Sequence, residues 1–326
     1  MRRFRYIEFN QEKIVLAIAV LMFLAFSVML KDFVSAGNII SLVQNVSILG
    51  VLGIGMALTI LGRGIDLSMV ANMAISVAWV LHLANDGMPM PLAVASGFGL
   101  SLAVGLINGL IIAYVEIPAI FATLAMGTAI YGFGHAALVN SDVIFVARSA
   151  PWFMAIGTST LSGLPISVLW LGAIAVLAAQ FLRLTRPGRF VYAIGDNPLS
   201  ARITGVPSRP IIVLQYLIAA LIAFLAGLIT ATLANSMNTR VATSSLVYDV
   251  ILVVAIGGVG LSGGKGGVRN VLVGTLLVGT LVNGLTILDV SYTFQNIVKS
   301  AILLIAIVAD SVLNPRDEQI AQQGDI

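Results

Sequence analysis

The chain has 326 residues, 59% of them hydrophobic and 10% charged, with a mean hydropathy of +1.05. A soluble domain carries about 25% charged residues, so this chain has too few charges to coat a water-facing surface, and more apolar side chains than one soluble core of its length would bury. Cysteine is absent, which excludes a disulfide framework, a thiol nucleophile and a Cys-ligated metal, and the net charge of +3, with no basic stripe, argues against nucleic acid as a partner.

A helix needs about 20 predominantly apolar residues to cross the hydrocarbon core of a bilayer. In chain order the candidates are 14–30, 42–61, 67–84, 91–115, 118–139, 164–183, 211–234, 247–261, 268–288 and 295–313. The breaks between them, such as "KDFVSAGN", "GRGID", "NDGMPMP" and "VEIP", read as turns. No long polar block lies outside this set. The expectation is an all-α integral membrane protein of about ten transmembrane helices, with residues 1–326 as one transmembrane domain and no nucleotide-binding domain.

Lys and Arg accumulate in cytoplasmic loops. With the N-terminus inside and ten crossings, thirteen of the 17 basic residues fall inside. They are Arg2, Arg3, Arg5, Lys13, Arg63, Arg183, Arg186, Arg189, Arg202, Arg209, Lys265, Arg269 and Arg316. Lys31, Arg148, Arg240 and Lys299 fall outside. Both termini are therefore expected in the cytoplasm. Trp79, Trp152 and Trp170 then lie toward the outer side, as an interfacial belt does. The basic N-terminus, its apolar run and Val34-Ser35-Ala36 also admit a signal-peptide reading, although Lys31 and Asp32 interrupt before the cleavage site.

Polar residues in or at the ends of spans have two readings each. Asn45, Asn72, Asn108, Thr123, His135, Asn235 and Asn283 either line a wet path or bond helix to helix, the latter worth about 0.6 kcal/mol on average. Asp66 either N-caps the third span or, with Ser68, lines an inner gate. Asp249 is an N-cap first and a gate residue second, and Glu116, before Pro118, reads as solvated. No Ser–His–Asp set or metal-ligand spacing converges on one face, so no catalysis is expected in this chain. The outer segment 140–163 either docks a partner, with Arg148 and Trp152 as contacts, or rests Trp152 among the headgroups.

Residues 183–210, "RLTRPGRFVYAIGDNPLSARITGVPSRP", contain a complete short-helix grammar. Asn197 or Asp196 can N-cap, Pro198 suits the first helical position, Leu199 to Thr204 continue, Gly205 fits the position after the C-cap, and Pro207 prevents extension. Such an element, held outside the bilayer between two long spans, is either a handle for a soluble partner or a solvated basic loop that fixes topology.

In "AIGGVGLSGGKGGVRN", residues 255–270, Gly258, Gly260 and Gly263 spell G-x-G-x-x-G, Gly264-Lys265 ends like a P-loop, and Leu261 to Lys265 approach an ATPase signature. Each nucleotide reading fails on context. The next acidic residue is Asp289, the P-loop's first glycine position is Val259, and Lys265 is followed by Gly266. The glycines are expected to let backbones approach and the helix break where it is packed in protein. "NGLII" at 108–112 and "NGLTI" at 283–287 echo one another, as an internal repeat would.

"GRFVYAIGDNPLSARITGVP" at 188–207, "GRGIDLSMV" at 62–70, "NGLIIAYVEIPAIFATL" at 108–124 and "AIGGVGLSGGKGGVRNVLVGTLLVGTLVNGL" at 255–285 resemble, in order, segments of the permease subunits of ribose-type ABC importers. The resemblance spans essentially the whole chain. It implies a permease that works in pairs, with an identical or a paralogous second permease chain, in the bacterial inner membrane. Cytoplasmic ABC ATPase subunits would bind the ATP and magnesium, so this chain would hold no cofactor. An extracytoplasmic solute-binding protein would deliver a sugar or sugar-like solute. The resemblance makes residues 184–210 a coupling loop and Asn197, Pro198, Ser200, Ala201, Arg202 and Gly205 the coupling-helix candidates. It makes Asn45, Asp66, Asn72, Asn108, Thr123 and Asn235 candidates for the translocation path, and Arg148 and Trp152 candidates for binding-protein contact. Departures from the family occur at Arg63, at Ser68-Met69-Val70, at Ser200 and at Tyr131-Gly132, so ribose itself is not carried over. The rival classes are an ion-coupled secondary transporter, which would want a buried carboxylate at a broken helix, and an integral membrane enzyme.

Overall fold

The computed structural model describes residues 11–147 and 151–313. Arg2, Arg3, Arg5, Arg148 and Arg316 of the orientation count lie outside them. The helices are α1 (Gln11–Met29), α2 (Ala36–Leu61), α3 (Met69–Asn85), α4 (Met90–Leu110), α5 (Ala119–Phe133), α6 (Pro151–Thr158), α7 (Ile166–Leu184), α8 (Arg186–Asp196), α9 (Pro198–Ile203), α10 (Ser208–Leu233), α11 (Leu246–Gly257), α12 (Val268–Ile287) and α13 (Tyr292–Leu313). Wider π turns extend α4 to Val115 and α5 to Val139. The strands are short: β1 (Val143–Phe145) pairs antiparallel with β4 (Ser236–Asn238), and β2 (Thr160–Leu161) with β3 (Leu164–Pro165).

Among the described residues seven helices are long and apolar enough to cross a membrane: α1, α2, α4 and α5 with their extensions, α7, α10 and α12. α3, α11 and residues Tyr292–Val308 of α13 are shorter apolar helices. The stretch 247–261 is shorter than its sequence suggests. α11 has 12 residues, or about 18 Å at the rise of an α-helix, against a hydrocarbon core of about 30 Å. It stops because Gly258 turns left-handed at φ +93, a conformation open to a residue without Cβ. Residues 258–267 then run irregularly, closed by hydrogen bonds from Gly260 N–H to the Lys265 carbonyl (3.1 Å) and from Gly263 N–H to the Gly260 carbonyl (2.9 Å). The glycine motif is thus preceded by a helix, and a dinucleotide fold would place a strand there.

α2 and α10 form the centre, each with 61% of its apolar window buried. They pack on one another; α2 also carries α7, α11 and α12, and α10 carries α3, α4 and α6. α1 lies outside, against α12, with 11% of its window buried. Its Val28 is 88% exposed, and on α5 Phe121 is 67% exposed. Apolar faces of this kind suit a chain whose solvent is lipid.

The pairings repeat. α10 packs on α4 as α2 packs on α12, α10 on α3 as α2 on α11, α3 on α4 as α11 on α12, and α3 on α5 as α11 on α13. Exchanging α2–α5 with α10–α13 therefore preserves these four pairings, while α4 on α5 and α1 on α12 have no comparable counterpart among the described residues. The two Asn-Gly echoes occupy the matching helices α4 and α12, yet they do different work: Asn108 bonds Ser68, whereas Asn283 forms a reciprocal amide pair with Asn38 at 3.0 and 2.9 Å.

α11 and α12 approach through Gly257 and Gly274. A Cβ at Gly274 would press into the Val253 carbonyl, and one at Gly257 into that of Asn270. Gly274→Ala is expected to separate the two helices and to cost about 1–3 kcal/mol, the range of overpacking. Thermal unfolding in mild detergent measures it, and an unchanged midpoint would show that the crossing yields freely.

Candidate functional site

Residues 185–207 form two helices in succession, where the sequence promised one. α8 starts on Thr185, whose hydroxyl accepts from Gly188 N–H at 3.0 Å, with Pro187 in the first turn. Its buried face is Gly188, Val191, Ile194 and Gly195. The Thr-Arg-Pro start was legible; Gly188, Gly195 and two arginines within eleven residues masked it.

α9 has the expected caps. Asn197 Oδ1 accepts from Ser200 N–H at 2.9 Å. At its end Gly205 N–H bonds the Arg202 carbonyl (3.1 Å) and Val206 N–H bonds that of Ala201 (2.9 Å). With Gly205 at φ +82 this is a Schellman ending. Ala201 is buried against the bundle, whereas Ser200 and Arg202 are exposed. Two residues outside the expected set matter here. Leu199 is 54% and Ile203 77% exposed, four apart on the outward face, so α9 presents an apolar ridge. Glu116 is more than a solvated turn residue: its carboxylate accepts from Arg209 at 3.0 Å and lies 3.9 Å from Arg202, linking α9 to the α4–α5 turn. Exposed pairs of this kind contribute about 0–1 kcal/mol each.

Four of the six path candidates belong to one buried seam. Asp66, Asn72, Asn108 and Thr123 are all buried. Ser68 is the residue before α3 but makes no side-chain cap there, and Asp66 two residues earlier caps the turn that leads into the helix. Asp66 Oδ1 accepts from the Ser68 N–H (3.0 Å) and hydroxyl (2.6 Å), closing the turn ahead of α3. Asn108 Nδ2 donates to Ser68 Oγ at 2.8 Å. Thr123 Oγ1 accepts from Leu67 N–H at 3.1 Å and lies 3.0 Å from the Ile65 carbonyl, to which it can donate. Asn72 Nδ2 donates to Ser101 Oγ (3.1 Å), which donates to the Ala220 carbonyl (3.0 Å). The seam stitches α3, α4, α5 and α10. The other two candidates lie apart. Asn45 is exposed on α2, and Asn235 is exposed in a left-handed turn after α10, where its carbonyl accepts from Val146 N–H at 3.1 Å.

Asp249 has moved from its expected role. Ser245 holds the cap position of α11, and the Asp249 carboxylate accepts from Lys299 Nζ of α13 at 2.8 Å. The side chains are 16% and 6% exposed, so this is a buried ion pair. Around β1 and β4, Arg240 and His135 both reach Asp142, and their hydrogen bonds, Arg240's first, hold its carboxyl below the ordinary carboxylate range. Trp152 is 51% exposed on α6, and Arg148 lies outside the described residues.

A bundle of several membrane-length apolar helices, with a short capped helix between two of them, has the architecture of a transport permease. Residues 38–307 match the family described as "Branched-chain amino acid transport system / permease component". The ribose import permease protein RbsC of Escherichia coli (strain K12) is 32% identical over 305 residues, covering 92% of this chain and 94% of that one. RbsC of Bacillus subtilis (strain 168) is 34% identical over 286 residues, 87% and 88% of the two chains. The L-arabinose transport system permease protein AraH of Escherichia coli (strain K12) is 30% identical over 300 residues, 90% and 89%. The chain belongs to this permease family, in its ribose-type ABC branch.

Removing one partner of a buried ion pair typically costs about 3–5 kcal/mol, because the other charge is left uncompensated. Lys299→Met is therefore expected to lower thermal stability in detergent more than the double variant Asp249→Leu/Lys299→Met does. Equal losses would place the pair in contact with water.

Proposed function

We propose that this chain is the membrane-spanning permease of an ABC importer for a sugar or sugar-like solute. The observation that carries the reading is α9: a six-residue helix, capped at both ends, with Leu199 and Ile203 turned outward. An apolar ridge on a rigid element is what a soluble partner can grip. ABC ATPase subunits would bind there, hold the ATP and magnesium, and hydrolyse the ATP. This chain would switch by alternating access between an outward-open and an inward-open pair of permeases, with an extracytoplasmic binding protein delivering the solute. The sugar class follows relatives named for ribose and L-arabinose and a galactofuranose transporter permease. The family description names branched-chain amino acids, so solute class is a property of the branch.

The topology that fits has ten crossings, with α3, α11 and α13 completing the seven longer helices, both termini in the cytoplasm, and the bacterial inner membrane as location. In it, residues 184–210 face the cytoplasm within one transmembrane domain.

One observation favours the ion-coupled rival. Asp66 is a buried carboxylate at a helix break, a feature of ion-coupled transporters. Its oxygen is already engaged by Ser68, and the family assignment speaks for the ABC reading.

The test is affinity purification of the tagged chain from its native membranes in mild detergent. An ATPase subunit is expected to accompany the wild-type chain and to be lost from Ile203→Glu, with the variant's own thermal midpoint unchanged. Solute uptake by the chain alone, driven by a proton gradient and abolished by Asp66→Asn, would replace this reading with the ion-coupled one.

A further inference from the structure

Three stretches of backbone meet beside α9. The carbonyl of Leu61, the last residue of α2, accepts from Gly264 N–H at 2.9 Å. Gly195, near the end of α8, packs against both so closely that a Cβ there would strike the Leu61 carbonyl and the Gly264 nitrogen. Arg63 completes the junction. Its guanidinium forks onto successive carbonyls, Nε to Gly195 at 2.9 Å and Nη2 to Asp196 at 3.0 Å. These are the last carbonyls of α8, where the orphan acceptors and the helix dipole both favour a cation. Arg63 itself sits at φ +69, a left-handed conformation that costs a non-glycine residue about 1–3 kcal/mol and persists where the surroundings hold it.

The position of this fork matters. Asn197, the cap of α9, directly follows Asp196, so nothing separates Arg63's second acceptor from the start of α9. In the other direction Arg63 is two residues from Ile65 and five from Ser68. Those residues are the ones that Thr123 of α5 and Asn108 of α4 hold. A displacement of α9 thus has a short route, through two hydrogen bonds and a few peptide units, into the buried seam of α3, α4 and α5. The turn itself is closed, with Gly62 and Gly64 N–H both bonded to the Thr59 carbonyl (3.1 and 2.9 Å) and Arg63 N–H to that of Ile60 (2.9 Å), so it passes on a pull from the clamp on α8 as a unit. Guanidinium suits this task, since its planar fork fixes direction where an ammonium fixes only position. A second polar link between α9 and the spans, Arg202 to Glu116, is half-exposed and longer, and is screened by solvent.

We infer that Arg63 is the positioning residue that carries movement of α9 into the α2–α3 turn and so couples the docking helix to the interior of the bundle. The inference rests on α9 being the ATPase docking helix.

The experiment reconstitutes the full transporter, with its ATPase and binding protein, in liposomes, and measures solute moved per ATP hydrolysed for the wild type, Arg63→Gln and Arg63→Lys. Arg63→Gln is expected to keep the bound ATPase and its turnover while the transport-to-hydrolysis ratio falls by about three- to thirtyfold, the range of coupling changes seen for residues that touch neither ligand. Arg63→Lys is expected to recover part of the ratio. A residue that only stabilises the fold would lower yield, thermal midpoint and hydrolysis together and leave the ratio unchanged. A wild-type ratio in Arg63→Gln, with the ATPase bound, overturns the inference alone. A wild-type chain that binds no ATPase overturns the docking reading with it. Should Arg63→Gln misassemble, the wild type and Arg63→Lys are compared by spin labels at Ser200→Cys and Leu124→Cys. An ATP-dependent distance change of equal size in both would sink the proposal.

Discussion

Backbone amides and carbonyls inside a bilayer must find their partners within the protein, and the rest of this structure depends on that constraint. Unbroken helices meet it by themselves. Among the described residues two turns packed against protein, after α2 and after α11, need such partners, and several polar side chains supply them. Thr123 and Asp66 engage the 65–68 turn. Asn270 Nδ2 donates to the Gly257 carbonyl at the end of α11 (2.9 Å), the Tyr192 hydroxyl to that of Gly266 (2.9 Å), and Gln215 Nε2 to that of Leu58 in the last turn of α2 (2.8 Å). Leu61 and Gly264 satisfy one another, so the two turns lean together. Four buried polar atoms are left over among the described residues, Asn72 Oδ1, Asn108 Oδ1, Ser167 Oγ and the Tyr216 hydroxyl, and none of them has a hydrogen-bond partner.

The seam around Ser68, the paired turns and the capped α9 are held by backbone groups and short polar side chains. Such contacts are local and depend on close backbone approach, as between Gly195, Leu61 and Gly264, rather than on long side chains.

Much of this was legible in the sequence, and the remainder has physical causes. Each of the ten apolar stretches coincides with a helix, because hydropathy over 20 residues integrates many side chains. The caps of α9 were legible because Asn197 and Gly205 have local jobs that neighbours do not alter. α8 was missed because its amphipathic face is built from Gly188 and Gly195, which carry no hydropathy signal and are buried for closeness. The early end of α11 was missed because Gly257-Gly258 follows an unbroken apolar run, and only the partner backbone decides that the helix stops there. Asp66 was legible as a capping residue because its partner, the Ser68 N–H, is local, whereas Asp249 was misread: an acidic residue near a helix start looks like a cap, and only packing reveals Lys299 as its partner.

A six-residue helix is too short to be stable by itself, since nucleation alone outweighs its few hydrogen bonds. α9 holds because its ends are closed: Asn197 at the start, the Gly205 ending at the finish, and Ala201 buried against the bundle. Closure also makes it mechanically useful. A frayed loop would absorb a push in its own dihedrals, whereas a capped turn can only move as a body. Its attachments then decide where the movement goes. Towards α10, Arg202 and Arg209 share the half-exposed Glu116 carboxylate and Ser208 N–H bonds the Val206 carbonyl, while towards α8 the backbone is pinned at Gly195 and Asp196 by Arg63 and packed without clearance on Leu61 and Gly264. The more tightly packed of these attachments faces the end of α2, the most central helix with α10, so a displacement of α9 would meet the part of the bundle that touches most of the others.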